Sequence, residues 1–518
     1  MPPGLFWKRQ KRIKMKKIEI MDTTVRDGEQ TKAVSFKCEE KLVIVKRLLA
    51  DVGVSRCEVA SARVSPEEQK ALAMIMDWAA ASGFEKQIEV LSFTDYCKSV
   101  DWLLPTGCRR INLLTKGSQK HCELQLKKSL EQHLEDVRRT VEYAHEKGLG
   151  CNVYLEDWSN GVRNSPDYVW KMLEAYAGFG FERILLPDTL GVLNPFEAEA
   201  YISETVKRFP ELRFEFHAHN DYGMAAANTL AAVRAGISGV HVTVNGLGER
   251  TGNADLAQVA AAIKDHTGFD CGINEKKLKD ISILVETFSG KRIAANMPIL
   301  GGDVFTQTAG IHADGDKKGN LYVSQLTPDR FDRNRSYALG KLSGKASLEM
   351  NLEKLGINLN DDQKEKLLQK IVELGDLKKN VTVEDLPFLV SDMLGGQRYK
   401  NFRVKNCVVT TTMQMKPCAN IQVEYNGKLY EETSQGSGGY DAFMCALRKL
   451  SPQMNLEIPK LIDFEITIPP GGNSNSLVEA VIKWDNGLVT HAVSSDQVKA
   501  AIKATERVLN LKARLAGN

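Results

Sequence analysis

The chain has 518 residues, 43% of them apolar and 26% charged, and its 69 basic and 66 acidic residues leave a formal charge of +3. That length divides into two or three soluble domains, and so even a charge balance gives no electrostatic footing for a nucleic-acid or membrane-surface partner. No apolar run approaches a membrane span, and the ten cysteines are scattered without a Cys-x-x-Cys pair, which speaks against a disulfide framework or structural zinc and for a reducing cytoplasm.

Residues 1–16 read as a basic N-terminal extension, with no apolar stretch behind them to make a secretory signal. From 17 to 295, strand-like and helix-like segments alternate, and this span is expected to be one catalytic domain. A first strand over 18–22 is followed by a helical period over 35–52, with Leu42, Val45, Leu48 and Leu49 on one stripe. Further strands are predicted over 56–60, 87–93, 110–114, 151–155, 183–186, 213–216 and 240–244. Pro66, Pro166 and Pro195 stand where they would open intervening helices. Eight strand units in this span predict a (β/α)8 TIM barrel, with an open doubly wound sheet as the rival.

Residues 296–397 are less regular and are expected to form connecting subdomains. A glycine-rich stretch over 301–319 holds His312-Ala313-Asp314-Gly315, and helical periods follow near 348–355 and 361–373. From 398 to 518 the pattern changes to two copies of strand-strand-strand-helix, over 402–450 and 461–509, predicting a C-terminal α+β domain. The glycine-rich loops Gln435-Gly436-Ser437-Gly438-Gly439 and Pro469-Pro470-Gly471-Gly472-Asn473 suit close approach of backbone to a small ligand. Tyr440 and Asp441, beside the first loop, are candidates for effector contact.

Polar residues gather at the predicted C-terminal strand ends: Arg26, Asp27, Ser61, Asn112, Glu156, Asp188, Thr189, His217, His219 and Asn245. A barrel of this kind carries its active site at that face. His217 and His219 are two apart on a strand and therefore project to one side, spaced to hold one metal ion. With Asp27 they make a two-histidine, one-carboxylate set that suits magnesium, manganese, zinc or ferrous iron without selecting among them. A cation beside a ketone polarises the carbonyl, and Arg26 is placed to stabilise the developing oxyanion. The loop Asn245 to Asn253 has glycines for a tight turn but lacks the Gly-Lys-Ser/Thr ending of a P-loop, and Asn245 or Asn253 offers a further oxygen ligand. Glu156 is expected to orient reacting groups, Tyr154 to wall the pocket, and His312 to serve as a base.

Four stretches together resemble the 2-isopropylmalate, homocitrate and citramalate synthase family: Thr24-Val25-Arg26-Asp27-Gly28-Glu29-Gln30, His217-Ala218-His219-Asn220-Asp221, Asn245 to Asn253, and Thr308-Ala309-Gly310-Ile311-His312-Ala313-Asp314-Gly315. The likeness runs from Ile18 to the C-terminus and includes the repeated unit, which is similar to the family's amino-acid-sensing regulatory domain. Val153-Tyr154-Leu155-Glu156-Asp157-Trp158-Ser159-Asn160-Gly161, Leu186-Pro187-Asp188-Thr189-Leu190-Gly191 and Gly315-Asp316-Lys317-Lys318-Gly319-Asn320-Leu321-Tyr322 resemble its citramalate-forming members.

The resemblance implies a divalent-metal-dependent Claisen condensation of acetyl-CoA with a 2-oxo acid, followed by thioester hydrolysis. It implies Asp27, His217 and His219 as metal ligands with Asn253 close by, Arg26 and Thr189 on the oxo acid, and Glu156 as an orienting group. It implies His312, supported by Asp314, as the base, and Asn320, Leu321 and Tyr322 as a cover contributed by the partner subunit of a homodimer. Leu91, Leu114 and Tyr154 match the positions that line the oxo acid's tail. Three bulky groups there imply pyruvate as substrate, and isoleucine follows as the feedback effector. A 2-isopropylmalate synthase acting on 2-oxoisovalerate, and a non-catalytic amino-acid sensor, are the alternatives. Ala257 and Met297 depart from the family, which often has a glutamate and a basic residue at these positions.

Overall fold

Each barrel strand is four to seven residues long and is buried along nearly its whole length, because helices cover one face and the barrel interior fills the other. The computed structural model describes residues 17–355, 357–376, 381, 386–393, 401–468 and 478–515. Its barrel strands are β1 (Glu19–Asp22), β2 (Arg56–Ser61), β3 (Ile88–Phe93), β4 (Arg110–Lys116), β5 (Gly150–Glu156), β6 (Arg183–Asp188), β7 (Phe214–Ala218) and β8 (Gly239–Val242). They pair in parallel in chain order, and β1 closes onto β8 through Glu19↔Gly239 to Asp22↔Val242. The barrel expectation holds, and closure removes the open-sheet rival.

Local chemistry sets the helix starts. Ser65, Ser129, Asn194 and Asp255 each accept a first-turn backbone N–H, and Pro66 and Pro195 follow two of these caps as pre-set first residues. Among the helices that the sequence reading did not place, Lys98–Leu103 after β3 and Trp158–Asn164 before Pro166–Tyr176 are too short to show a helical period, and the longer Leu278–Ser289 and Leu386–Met393 were also missed.

Alternate residues along a strand share one side, so Glu89 and Leu91, Asn152 and Tyr154, and Glu215 and His217 all face inward in two tiers. Toward the N-terminal strand ends the interior is ionic, with Arg56 bonded to Glu89 and Glu215. Above it lies an apolar tier of Met21, Leu91, Tyr154 and Leu185, with Leu114 packed against it. The rest of the barrel core, from Ile18 to Phe331, lies mainly between the strands and their outer helices.

The described chain separates into two units, residues 17–305 with 323–335, and residues 306–322 with 336–515. In the second unit, β9 (Thr306–Gln307) pairs in parallel with β10 (Ser336–Tyr337). The glycine-rich stretch expected to be irregular closes into a helix over Gly310–Gly319. Its glycines mask the period but serve packing: a Cβ on Gly315 would lie 2.5 Å from the Tyr322 ring. Helices Lys345–Lys354, Asp361–Asp376 and Leu386–Met393 gather around Leu348, Leu352, Leu367 and Ile371.

The two strand-strand-strand-helix repeats are present. Antiparallel β11 (Phe402–Thr410), β12 (Cys418–Tyr425) and β13 (Lys428–Gln435) precede helix Gly439–Met454, and β14 (Leu461–Thr467), β15 (Val478–Trp484) and β16 (Val489–Ser494) precede helix Gln497–Leu515. Phe402, Ile421, Phe443 and Leu447 of the first repeat share one core with Ile482, Trp484, Ala504 and Val508 of the second. The extension 1–16 and the loop Pro469 to Asn473 lie outside the described residues.

Candidate active site

The turn after β1 carries the first site residues. The Asp22 carboxylate accepts the Thr24 N–H at 2.8 Å and its hydroxyl at 3.0 Å. The N–H groups of Arg26, Asp27 and Gly28 all donate to the Thr23 carbonyl, and the Thr24 hydroxyl accepts the Val244 N–H at 2.8 Å, tying the turn to the end of β8. At the end of β7, Asn220 N–H donates to Gly252 and Ala254 N–H to Ala218, while His219 bridges to Asn253. Gly252 is obligatory for this loop: its φ is +89°, and a Cβ would lie 1.9 Å from the Gly246 carbonyl oxygen.

These two turns bring Asp27, His217 and His219 together, all buried. Asp27 Oδ2 lies 3.2 Å from His217 Nε2 and 4.0 Å from His219 Nε2, and the two imidazole nitrogens are 3.4 Å apart. Atoms bound to one cation at about 2.1 Å stand roughly 3.0–3.4 Å apart at right-angled or tetrahedral positions. The Asp27–His217 and His217–His219 sides match that spacing, and the 4.0 Å Asp27–His219 side is within reach of one shared cation at a wider angle. Asp27 Oδ2 and Asn253 Oδ1 are buried without a hydrogen-bond donor, as expected of oxygens reserved for a positive ion. Asn253 Nδ2 donates to the Leu247 carbonyl at 2.9 Å, which fixes the amide.

The charges agree with that reading. Burial pushes the Asp27 carboxyl up, but the Arg26 guanidinium and the His217 ring outweigh it and hold it well below the usual carboxylate range. Burial lowers His217, and burial together with the His217 ring brings His219 down to about 4. At neutral pH the set is one carboxylate and two neutral imidazoles with lone pairs to give.

Arg26 is less open than the sequence suggested. Its Nε donates to Glu58 Oε2 at 2.5 Å, one terminal nitrogen lies 3.3 Å from Asp27 Oδ1, and the other donates to the Tyr154 hydroxyl at 3.5 Å. Glu58 is joined to Asn112 (2.7 Å) and Asn112 to Asn152 (2.8 Å). Asn152 meets Glu89 (3.2 Å), Glu89 meets Arg56 (3.0 Å) and Arg56 meets Glu215 (2.6 Å). Glu215 pairs with His241 Nε2 (3.1 Å), whose Nδ1 meets the Tyr154 hydroxyl at 3.2 Å. The interior polar groups thus form a closed ring that returns to Arg26.

Leu91, Leu114 and Tyr154, singled out in the sequence, do come together, and Met21 and Leu185 complete their cluster. Glu156 is engaged by Lys116 through a short ion pair. The Thr189 hydroxyl oxygen accepts the Asp157 N–H at 2.8 Å. Arg250 clamps the rim, donating to the Asp221 carboxylate and the Thr189 carbonyl.

Several strand-end residues have other duties. Asn112 is interior to the barrel, bonded to Glu58 and Asn152. Asp188 accepts the N–H groups of Val192 and Leu193 and shapes its own loop. Asn245 donates to the Ser282 carbonyl, holding helix Leu278–Ser289. Glu58, Lys116, Arg250 and His241 had drawn no role, although the inward period of β2 and β8 marks Glu58 and His241.

His312, Asp314, Asn320, Leu321 and Tyr322 belong to the second unit. His312 packs against Tyr322, with ring centroids 4.2 Å apart and the planes tilted by 34°, and its Nδ1 meets Gln307 Oε1 at 3.2 Å. Asp314 instead pairs with Lys318 at 2.6 Å. Residues two apart on a helix face different sides, whereas Asp314 and Lys318 are four apart, so within this helix Asp314 is turned to Lys318 rather than to His312. Asn320 ends that helix in the left-handed conformation, and Leu321 and Tyr322 are exposed.

Tyr440 and Asp441 have structural partners. The Tyr440 hydroxyl bonds Thr505 at 2.6 Å and its ring packs on Phe443 and Phe464, while Asp441 accepts the Ser437 N–H at 2.8 Å.

Comparison with known proteins agrees with this architecture. An HMGL-like family matches residues 17–285, a homocitrate synthase post-HMGL domain-like family residues 299–379, and the LeuA allosteric (dimerisation) domain residues 380–513. The chain is 32% identical to the (R)-citramalate synthase CimA of Methanocaldococcus jannaschii over 501 residues, covering 95% of this chain and 99% of that one. It is 31% identical to the 2-isopropylmalate synthase of the same organism over 500 residues, covering 94% and 93%. It is 30% identical to the 2-isopropylmalate synthase of Halalkalibacterium halodurans over 517 residues, covering 96% and 98%.

Proposed function

The chain belongs to the family of 2-isopropylmalate and citramalate synthases, and from that premise we propose that it condenses acetyl-CoA with pyruvate to give (R)-citramalate and CoA, under feedback inhibition by isoleucine. The observation that carries the choice of pyruvate is the tail cluster. Leu91, Leu114 and Tyr154 pack with Met21 and Leu185 beside Arg26, and a methyl group suits so filled a space better than an isopropyl group.

Asp27, His217 and His219, with Asn253, would hold a divalent cation, which when bound polarises the ketone of the oxo acid. Arg26, kept charged by Glu58 and Asp27 despite its burial, is the group for the oxo acid's carboxylate and the charge that develops beside it. Thr189 is assigned the same substrate. Glu156, steadied by Lys116, orients the reacting ends. His312 is assigned removal of the methyl proton of acetyl-CoA, with its ring set by Tyr322 and Gln307. Asn320, Leu321 and Tyr322 are assigned the cover, contributed across a homodimer. The C-terminal repeats are assigned isoleucine, with the match to the LeuA domain as support.

The second reading, condensation with 2-oxoisovalerate, is favoured by one observation: the 2-isopropylmalate synthase of M. jannaschii is nearly as similar, at 31% identity, as the citramalate synthase at 32%. CoA release measured with pyruvate and with 2-oxoisovalerate, each with and without isoleucine or leucine, decides. Preference for 2-oxoisovalerate overturns the pyruvate assignment, and inhibition by leucine alone overturns the effector.

A further inference from the structure

Tyr154 is the one polar side chain in the apolar cluster at the barrel centre, and its hydroxyl is the part of that wall whose direction must be set. His241, on β8, lies against it. The rings are 5.6 Å apart and nearly perpendicular, and His241 Nδ1 is 3.2 Å from the Tyr154 oxygen. On its other side, His241 Nε2 is 3.1 Å from Glu215 Oε2. Glu215 lies between two guanidiniums, with one Arg56 terminal nitrogen 2.6 Å from both of its oxygens and Arg183 Nε 3.1 Å from Oε1, so its carboxylate oxygens serve as acceptors. The imidazole proton therefore sits on Nε2, and Nδ1 is left as an acceptor.

This tautomer fixes the Tyr154 hydroxyl in turn. Its proton goes to His241 Nδ1, and its lone pairs remain for the Arg26 guanidinium at 3.5 Å. Glu58 Oε2, 3.4 Å from the same oxygen, cannot receive that proton while His241 holds it. His241 and Glu215 are fully buried, so water offers no substitute partner.

We propose that His241, oriented by Glu215, is a positioning residue for substrate size. It locks the Tyr154 ring in the pose that closes the tail pocket and presents the phenol oxygen to Arg26. Released from His241, the phenol proton turns to Glu58, the ring leaves its pose, and the pocket admits a larger tail. This inference rests on the reading of Leu91, Leu114 and Tyr154 as the tail pocket.

The test is a double-mutant cycle read as the ratio of kcat/KM for 2-oxoisovalerate to that for pyruvate. Tyr154→Phe and His241→Gln, which keeps reach toward Glu215 but loses the Nδ1 position, are each expected to raise the ratio about tenfold. The double variant should match the single ones, because both remove the same bond. His241→Asn, which keeps a polar atom near the Nδ1 position, should stay within about twofold of the unaltered enzyme. Additive effects, or His241 variants that lose thermal stability with the ratio unmoved, overturn the proposal and leave His241 a packing residue. Should His241→Gln fail to fold, Tyr154→Phe against His241→Asn decides: equal ratios in the two refute it. An unaltered enzyme that already prefers 2-oxoisovalerate refutes the pyruvate reading instead, and the coupling of the two positions is still read from the cycle.

Discussion

Asp27 Oδ2 lies 3.2 Å from His217 Nε2, yet it accepts no hydrogen bond of good geometry. A buried carboxylate oxygen left in that state between two neutral imidazoles is what a cation would complete. Asp27→Ala is expected to weaken divalent-metal binding by well over about 100-fold, since outer-shell changes alone cost 10–100-fold. Titration calorimetry with manganese, or its electron-spin resonance signal, measures this directly. Affinity unchanged by the substitution rules out Asp27 as a ligand.

Leu114, like Leu91, is an apolar member of the cluster proposed as the tail pocket and has no polar duty there. Leu114→Ala removes three carbons from that wall without opening the hydrogen-bonded ring. The expected outcome is a rise of at least about 10-fold in the kcat/KM ratio of 2-oxoisovalerate to pyruvate, since a single methylene of space is already worth about 10- to 200-fold. A ratio that does not move places the substrate tail elsewhere.

The barrel was legible because eight buried strands leave short apolar runs at regular spacing, and three proline-opened helices punctuate them. The meeting of Asp27, His217 and His219 was legible because these residues sit in two short stretches, and His217 and His219 share a strand side. What stayed hidden were partners chosen by register across the barrel. Glu58 holds Arg26, and His241 holds Tyr154, but a single polar residue inside an apolar strand does not say which inward neighbour on the other strands it meets. The helix Gly310–Gly319 was hidden for a different reason: its glycines are there for close packing and erase the apolar period.

Asp22 makes stability depend on pH. It is fully buried, with Thr24 as its donor among the described residues, and burial raises its pKa to about 7. Between its unfolded value near 4 and about 7, the folded state binds the proton more tightly, so raising pH through this window lowers stability. Above about pH 7 the cost is complete, on the order of a few kcal/mol. Asp22→Asn keeps an acceptor for the Thr24 N–H and carries no charge. Its Tm should exceed that of the unaltered protein at pH 8, with the gap narrowing steadily as pH falls toward about 4.5; a constant difference across that range excludes Asp22 as the source.

The C-terminal repeats share one core, so neither can be removed alone without exposing the other's apolar face. Truncation before Phe402 should therefore leave an enzyme that condenses its substrates but no longer responds to isoleucine. Tyr440→Phe loses the Thr505 bond and should cost about 1 kcal/mol of stability. If Tyr440 also touches the effector, the inhibition constant moves by more than tenfold in the same variant. Retained inhibition after truncation locates the effector in the remaining chain.

Arg56 is the centre of the ionic tier near the N-terminal ends of the strands. One terminal nitrogen reaches both oxygens of Glu89 at 3.0 Å, the other both oxygens of Glu215 at 2.6 Å, and its Nε lies 3.3 Å from Glu19. Glu89 and Glu215 are wholly buried. Replacing such a pair by apolar groups on both sides can be neutral, but removing the cation alone strands two carboxylates in the core. Arg56→Met is thus expected to destabilise the protein by about 3–5 kcal/mol at pH 7.5, despite the added apolar volume. Glu215 sets the pH dependence. Burial raises its pKa, but Arg56 and His241 bring it well below the usual range, so in the unaltered protein it contributes stability above about pH 4.5 that fades as pH falls. The loss in Arg56→Met should accordingly be largest at neutral pH and shrink toward pH 4.5. Arg183, 3.1 Å from Glu215 through its Nε, limits the loss and should make a paired Arg56→Met, Arg183→Met variant worse than the sum of the two. Denaturant unfolding at pH 7.5 and pH 5 measures both effects, and a cost below about 1 kcal/mol at pH 7.5 would mean that Glu89 and Glu215 are not charged in the folded barrel.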